Sequence, residues 1–306
     1  VKLVIHGQQA FGKGVLEAIL ERGSDEIVAV YCGPDAGSRT DPLKELAIEK
    51  GLPVHQPESF KDPQVWEQMR SHAADLCVMA YVTLFVPEEA LNAPRLGSIQ
   101  YHPSLLPMHK GPSSINWPII FGESKTGLSI FWPDNGLDTG PILLQKEVDI
   151  AADDTLGSLY FNHLFPMGVD AMMESIELVR NGTASKIPQD PDAGTYEGWC
   201  GKADAEIDWS QPADQVYNRI RGTNPQPGAW TTVNGAELKI FDSVLDIGDS
   251  DTAPGTICGL SDDGFSVASS GGRILVQRVR PAGSGKVAAV EFATASGLSV
   301  GDRLGG

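Results

Sequence analysis

Val1-Lys2-Leu3-Val4-Ile5-His6, then Gly7-Gln8-Gln9-Ala10-Phe11-Gly12, then Lys13 to Arg22, Gly23 and Glu26-Ile27-Val28-Ala29-Val30-Tyr31-Cys32: this opening stretch decides the fold. The first run is apolar and β-branched, as a strand requires. Lys13 to Arg22 carries a helical pattern, and Gly23 follows it as a left-handed C-cap. The third run is a second strand. A strand, a tight turn, a helix and a strand in that order predict a right-handed parallel unit.

The pattern continues outward. Pro42 to Lys50 and Pro63 to His72 read as helices, with Pro53-Val54-His55 as a short strand between them. Leu76-Cys77-Val78-Met79-Ala80 is a continuous apolar run, expected of a strand buried on both faces. The first half is therefore an open α/β parallel sheet of Rossmann type. Residues 127–132 and 142–150 read as two later strands, and 155–181 as a long helix broken near Pro166. A polar connection over 182–203 precedes a change of character. After a helix from Ala213 to Arg221 come short strands between Gly-rich turns, at 238–241, 255–258, 264–268 and 273–279. That pattern predicts a small β-barrel. The domains are accordingly placed at 1–203 and 204–306.

The Gly7, Gly12 and Gly14 spacing does not match GxGxxG, and no acidic residue closes the second strand. A nicotinamide cofactor is not expected. The loop either offers backbone N–H groups to an anionic or polar acceptor at the helix N-terminus, or is simply a tight turn.

Composition narrows the function classes. The chain has 306 residues, 41% of them hydrophobic, and a formal net charge of −17. It can bury a sizeable core. Its acidic field repels nucleic-acid phosphates, whose binding rests on Lys and Arg. There is no run of about 18 apolar residues, so no membrane span is expected. The N-terminus reads as a strand and not as a signal peptide. The four cysteines, Cys32, Cys77, Cys200 and Cys258, form no CxxC pair and read as reduced thiols of a cytoplasmic protein. The histidines show no HxxxH or HxH, and no catalytic metal is expected.

Tyr101-His102-Pro103-Ser104-Leu105-Leu106-Pro107 sets a histidine at the end of an apolar run. Gly136-Leu137-Asp138-Thr139-Gly140 sets a carboxylate in a Gly-flanked turn. A histidine that exchanges a proton near neutrality, oriented by a carboxylate, is what acyl-transfer chemistry needs. With Ser98-Ile99-Gln100, Gly111, Ile115-Asn116-Trp117, Ser129-Ile130-Phe131-Trp132-Pro133-Asp134-Asn135, Thr195-Tyr196-Glu197-Gly198 and Ile220-Arg221-Gly222, this text resembles the 10-formyltetrahydrofolate-dependent formyltransferase family along nearly the whole chain. Within the family it looks most like the folate-hydrolase domain that begins 10-formyltetrahydrofolate dehydrogenase. Its C-terminal part also resembles that of methionyl-tRNA formyltransferase.

The resemblance implies a formyltransferase fold followed by an OB-like β domain, with 10-formyltetrahydrofolate as co-substrate. It implies His102 and Asp138 as catalytic residues. Gln100 stands where the family has Asn; its longer amide is either an oxyanion donor or a structural strand-end residue. The folate pocket is implied at Met79, Ala80, Tyr81, Leu84, Phe85 and Val86, with Ser104 and Leu105, and with the backbone of Asp134, Asn135, Gly136, Leu137 and Asp138 reading the pterin edge. His109 is expected at the rim of the cleft. Three acceptors compete: a small-molecule amine, water, or methionyl-tRNA. The acidic balance and the short Pro34–Asp41 loop, with Arg39 as its one cation, argue against tRNA. Closeness to the hydrolase domain favours water. The amine is preferred, because hydrolysis alone discards an activated one-carbon unit.

Overall fold

The computed structural model describes residues 1–35, 37, 40–248 and 251–305. Arg39 therefore lies outside the described residues. The chain packs into two units, each built from discontinuous segments. The first comprises Val1–Gly111, Gly127–Val148 and Asn162–Tyr196; the second comprises Pro112–Thr126, Asp149–Phe161 and Glu197–Gly306.

The opening stretch folds as β1 (Lys2–Gly7), α1 (Gln9–Arg22) and β2 (Glu26–Tyr31), followed by α2 (Pro42–Glu49), β3 (Val54–His55), α3 (Pro63–Ser71), β4 (Leu76–Ala80), α4 (Glu88–Leu91) and β5 (Ser98–His102). Gly23 closes α1 in the left-handed region, with φ +64° and its N–H donating to the Ile19 carbonyl. Asp41 and Asp62 cap α2 and α3 through their side chains, each followed by a proline whose missing N–H costs the helix nothing there. After α5 (Asn116–Ile120) come β6 (Lys125–Phe131), β7 (Ile142–Asp149), α6 (Leu156–Leu159) and α7 (Phe165–Arg180). The long helix expected over 155–181 is interrupted by a π-turn at Tyr160–Leu164, just before Pro166. Proline has no N–H for the preceding turn, and the wider turn absorbs the break.

The seven strands form one sheet in the order β3-β2-β1-β4-β5-β6-β7. β3, β2, β1, β4 and β5 are parallel, while β6 runs antiparallel to β5. The sheet is thus mostly parallel with an antiparallel extension. Strand alternation sorts its two faces. Leu76, Val78 and Ala80 of β4, Ile99 and Tyr101 of β5, and Leu128 and Ile130 of β6 join one core with α1, α2 and α7. Cys77 and Met79 join a second core with Phe60, Met69, Val86, Ala90 and Leu91. The same alternation turns Gln100 and His102 toward the second face.

Among its described residues the second unit contains α8 (Ala213–Gly222) and the strands β8 (Ala229–Val233), β9 (Ala236–Ile240), β10 (Ser243–Ile247), β11 (Ile257–Ser261), β12 (Gly264–Ser269), β13 (Gly272–Val276), β14 (Arg278–Pro281) and β15 (Val287–Ala288). It ends with α9 (Ala289–Ser296). The strands form two four-stranded antiparallel sheets, β10-β13-β12-β11 and β15-β14-β9-β8. The chain passes between them at the short β9–β10 and β13–β14 corners, and residues of both sheets share one core with Ile207, Trp209, Val216 and Ile220.

All four cysteines are free. Burial raises the thiols of Cys32 and Cys200 to about 11 and that of Cys77 to about 12, so they stay protonated and unreactive. No helix among the described residues is long and apolar enough to cross a membrane.

His6, on β1, stacks against Phe60 at 4.4 Å between ring centroids, and its Nδ1 is buried without a partner. Burial lowers its pKa from 6.5 to about 3. The folded state keeps this ring neutral while the unfolded chain takes up a proton. Its contribution is therefore fully present above pH 6.5 and is lost as pH falls from there toward 3. His6→Gln should flatten the acid limb, reducing the stability lost between pH 7 and pH 4.5 by about 2 kcal/mol. Urea unfolding of both proteins across that range measures it, and parallel curves would refute it.

Candidate active site

The site grows from the C-terminal ends of β4 and β5. Met79 pairs with Gln100 across these parallel strands, and Gln100 pairs with Phe131 across β5 and β6. The loop that leaves β6 therefore begins beside Gln100. A cleft of about 230 Å³ opens here, its lining including the apolar Met79, Leu84, Phe85, Val86, Leu91 and Leu137 and the polar Gln100, Asp134 and Asp138, with Gly136. Open α/β sheets bind ligands beyond the carboxyl ends of their strands, as this cleft is placed to do.

His102 and Asp138 meet in the buried wall beside the cleft. Their relative exposures are 6% and 8%, and Nδ1 of His102 lies 3.6 Å from Oδ2 of Asp138. Nε2 of His102 lies 2.9 Å from the carbonyl oxygen of His109. A carbonyl only accepts, so Nε2 carries a proton and Nδ1 is the nitrogen facing the carboxylate. Oδ2 of Asp138 accepts the Gly111 N–H at 2.9 Å. Asp138 adopts a left-handed conformation, φ +56°, a region that Asp visits more readily than bulkier residues.

Around the pair, side chains fasten the loops. Ser129 Oγ donates to the Ser104 carbonyl and accepts the Leu106 N–H, and Gln145 Nε2 donates to both Ser129 Oγ and the Leu106 carbonyl. In the β6–β7 loop, Asp134 Oδ1 accepts the Gly136 N–H and the Thr139 hydroxyl. Gln189 Nε2 donates to the carbonyls of Asp138, at 2.9 Å, and Gly140, at 2.7 Å.

Of the residues singled out from sequence, Gln100 and Asp138 line the cleft with Met79, Leu84, Phe85, Val86, Asp134, Gly136 and Leu137. His102 stands behind Asp138. Ala80, Tyr81, Ser104, Leu105 and Asn135 lie outside the lining. Ala80 gives its carbonyl to the Gln8 N–H, Ser104 Oγ bonds the Met108 carbonyl, and Asn135 is tied to Glu88 at the start of α4. His109 is not at the rim. It is 3% exposed, and its backbone carbonyl is what serves the site. The expectation failed because residues 107–110 are held against Thr195, with the His109 N–H donating to its hydroxyl, and the residue is covered. Val82, Thr83, Leu91 and Phe131 were not anticipated in the lining, nor were the Gly111 N–H and Gln189 as anchors. Leu91, one helix beyond the Leu84-Phe85-Val86 run, carried the only local signal, an apolar residue on a short amphipathic turn. Among the described residues no group of His, Cys, Asp and Glu could hold a metal ion.

The start of α1 adjoins the same strand ends. The Gln8 side chain donates to Thr83 of the cleft lining. The Gln9 N–H, the first donor of α1, is taken by both carboxylate oxygens of Asp41, at 3.0 and 2.8 Å, and Asp41 also accepts the Leu43 N–H. The loop left open between an anion cradle and a tight turn is therefore filled by the protein's own carboxylate.

The chain matches the family described as Formyl transferase over residues 1–174, and Formyl transferase, C-terminal domain, over residues 200–297. It belongs to the formyltransferase family. It is 42% identical over 255 residues to mitochondrial 10-formyltetrahydrofolate dehydrogenase of Mus musculus, covering 80% of this chain and 27% of that protein. The chain thus spans about a quarter of the length of that relative. It is 37% identical to methionyl-tRNA formyltransferase of Symbiobacterium thermophilum, over 99% of this chain and 95% of the relative. Among solved structures it resembles HypX from Aquifex aeolicus in complex with tetrahydrofolic acid, with TM-score 0.70 and 17% identity, covering 98% of this chain and 48% of that one. A sugar 3N-formyl transferase matches with TM-score 0.67 and 19% identity over 93% and 98% of the two chains. At these identities the structural likeness speaks for the fold alone.

Proposed function

We propose that this protein transfers the formyl group of 10-formyltetrahydrofolate to a primary amine on a small molecule. The observation that carries the reading is the position of Asp138, which lines the cleft and also faces Nδ1 of the buried His102. The cleft's apolar wall and the loop at 134–138 suit a flat two-ring heterocycle, leaving the rest of a folate outside. We keep residues 1–203 and 204–306 as the two functional modules, the second with an OB-like role, and a cytoplasmic setting as part of the same reading.

The chemistry follows from these positions. The amine lone pair attacks the formyl carbon, a C–N bond forms, and the carbonyl oxygen becomes an oxyanion. The Gln100 amide and Nδ1–H of protonated His102 donate to it; the 3.6 Å separation of Nδ1 from Asp138 exceeds a hydrogen bond and leaves that N–H available. Asp138 accepts the proton shed by the attacking nitrogen, directly or through water. The oxyanion then collapses, the bond to N10 breaks, N10 takes the proton that Asp138 had accepted, directly or through water, and the products are the N-formyl amine and tetrahydrofolate.

The Asp41 carboxylate at the start of α1 weighs on the acceptor. It meets an incoming phosphate with like charge, and it favours a neutral or cationic amine. The net charge of −17 acts in the same sense and weighs against tRNA. Water is the second reading, supported by the 42% identity to 10-formyltetrahydrofolate dehydrogenases, and gives formate and tetrahydrofolate.

Incubation with 10-formyltetrahydrofolate should release tetrahydrofolate, faster when primary amines are added and unchanged by phosphorylated amines or methionyl-tRNA. Formate appearing at an amine-independent rate would replace the amine by water, and a response only to charged tRNA would overturn both. His102→Ala and Asp138→Ala should abolish turnover while folate affinity stays within a few-fold, because both act on the transition state. Gln100→Leu should lower the single-turnover rate about 10²–10³-fold. An unchanged rate with a lowered thermal midpoint would make Gln100 structural.

A further inference from the structure

The segment from Ile187 to Tyr196 reaches both halves of the proposed catalytic pair, Asp138 directly and His102 through His109. At one end Ile187 exchanges both backbone hydrogen bonds with Ile142 at the start of β7, which anchors the segment to the sheet. Gln189 then donates to the Asp138 and Gly140 carbonyls and so grips the loop that presents the carboxylate. At the other end Thr195 holds residues 107–110. Its N–H donates to the Pro107 carbonyl, its carbonyl accepts the Lys110 N–H, and its Oγ1 accepts the His109 N–H at 2.9 Å. Gly194 lets the two backbones approach this closely: with φ +89°, it would set a Cβ 2.1 Å from the Pro107 carbonyl oxygen.

The held peptides are the ones that orient the pair. The His109 peptide unit gives its N–H to Thr195 Oγ1, and its residue's carbonyl accepts Nε2–H of His102. Two residues on, the Gly111 N–H is the donor to Asp138 Oδ2. We infer that Thr195 is a positioning residue that fixes the tautomer of His102 through His109, with Gln189 as its counterpart on the Asp138 loop. This rests on the His102–Asp138 reading above. The Thr195 hydroxyl touches no reacting atom. Without it the bond from the His109 N–H to Thr195 is lost, the His109 carbonyl is steadied from Thr195 only through the Lys110 N–H of the same peptide, and His102 exchanges its proton between the two nitrogens more readily. With Nε2–H held on the His109 carbonyl, Nδ1 is the nitrogen that takes up the proton it later donates; in the other tautomer Nε2 turns a lone pair on that carbonyl and the ring loses its seat.

The test is Thr195→Val, which keeps the shape and removes the hydroxyl, beside Thr195→Ser, which restores it. Nitrogen-15 NMR of His102 reads the tautomer independently of activity. Wild type and the Ser variant should show protonated Nε2 at pH 8, and the Val variant a mixture. kcat for formyl transfer should fall about tenfold in the Val variant, with KM for 10-formyltetrahydrofolate within twofold and a shifted pH profile, and the Ser variant should recover most of the loss. Gln189→Leu should lower kcat in the same way without altering the His102 tautomer. A Val variant with the wild-type tautomer and pH profile overturns the inference, even if its thermal midpoint drops. If wild type itself turns over no formyl donor, the proposed reaction fails, while the NMR comparison still decides the role of Thr195.

Discussion

A carboxylate buried beside an imidazole is the constraint around which the first unit is arranged. Asp138 is 8% exposed, and an isolated ionised carboxylate at such a position is strongly disfavoured. Its carboxylate accepts a backbone N–H, from Gly111, and faces Nδ1 of His102 at 3.6 Å. Each of these supports needs its own. Gly111 must be delivered by the turn at 107–111, that turn is fastened by Ser129, Gln145 and Thr195, and His102 is set by the end of β5. Strand alternation completes the arrangement, because it turns Met79, Gln100 and His102 to one face. Met79, Gln100 and Phe131 of the lining thus come from the periodicity that buries the two cores, while the loops at 82–86 and 133–138 supply most of the rest.

The α/β unit was legible because its signals are local. Asp41-Pro42 and Asp62-Pro63 begin helices, Gly23 ends one, and Leu76 to Ala80 is apolar throughout; each needs only its neighbours to be understood. The C-terminal strands were legible in part. β8, β10 and α9 escaped notice. β10 leaves Val244 and Ile247 exposed, so its pattern does not alternate as a half-buried strand should. α9 begins directly after β15 and buries only Ala289 and Ala293, a face too narrow to register as amphipathic. The grouping of 112–126 and 149–161 with the second unit was hidden for a different reason. It depends on contacts distant in sequence, such as those of Asn116 with the Gly222 and Gln226 carbonyls and of Arg221 with the Ala151 and Asp154 carbonyls.

The site divides along the same line. His102, Asp138 and the apolar run at 84–86 stand in distinctive local text. Gln189 and Thr195 do not, since a polar residue in a Gly/Pro-containing connection looks like solvent-facing loop until its partners are known. Their hydrogen bonds go to backbone atoms, which leave no mark on the sequence of the partner. His109 shows the converse error. Its imidazole drew attention, while the working group is its carbonyl.

Charge connects the site to the choice of acceptor. A helix N-terminus near strand ends ordinarily offers free N–H groups to an anion. Here Asp41 occupies that place at α1 and caps α2 with the same carboxylate, so one side chain satisfies two helix starts. Binding a phosphate there means displacing Asp41 and leaving a carboxylate beside the incoming anion, a double electrostatic cost. The primary amine proposed above as acceptor meets the opposite field. It arrives as a cation attracted by the chain's −17 charge and must lose a proton before it can attack. The acidic surroundings that draw it in also hold it protonated, so in the proposed reaction the ammonium sheds one proton to solvent before attack, and Asp138, which lines the cleft and faces His102, takes the second as the C–N bond forms.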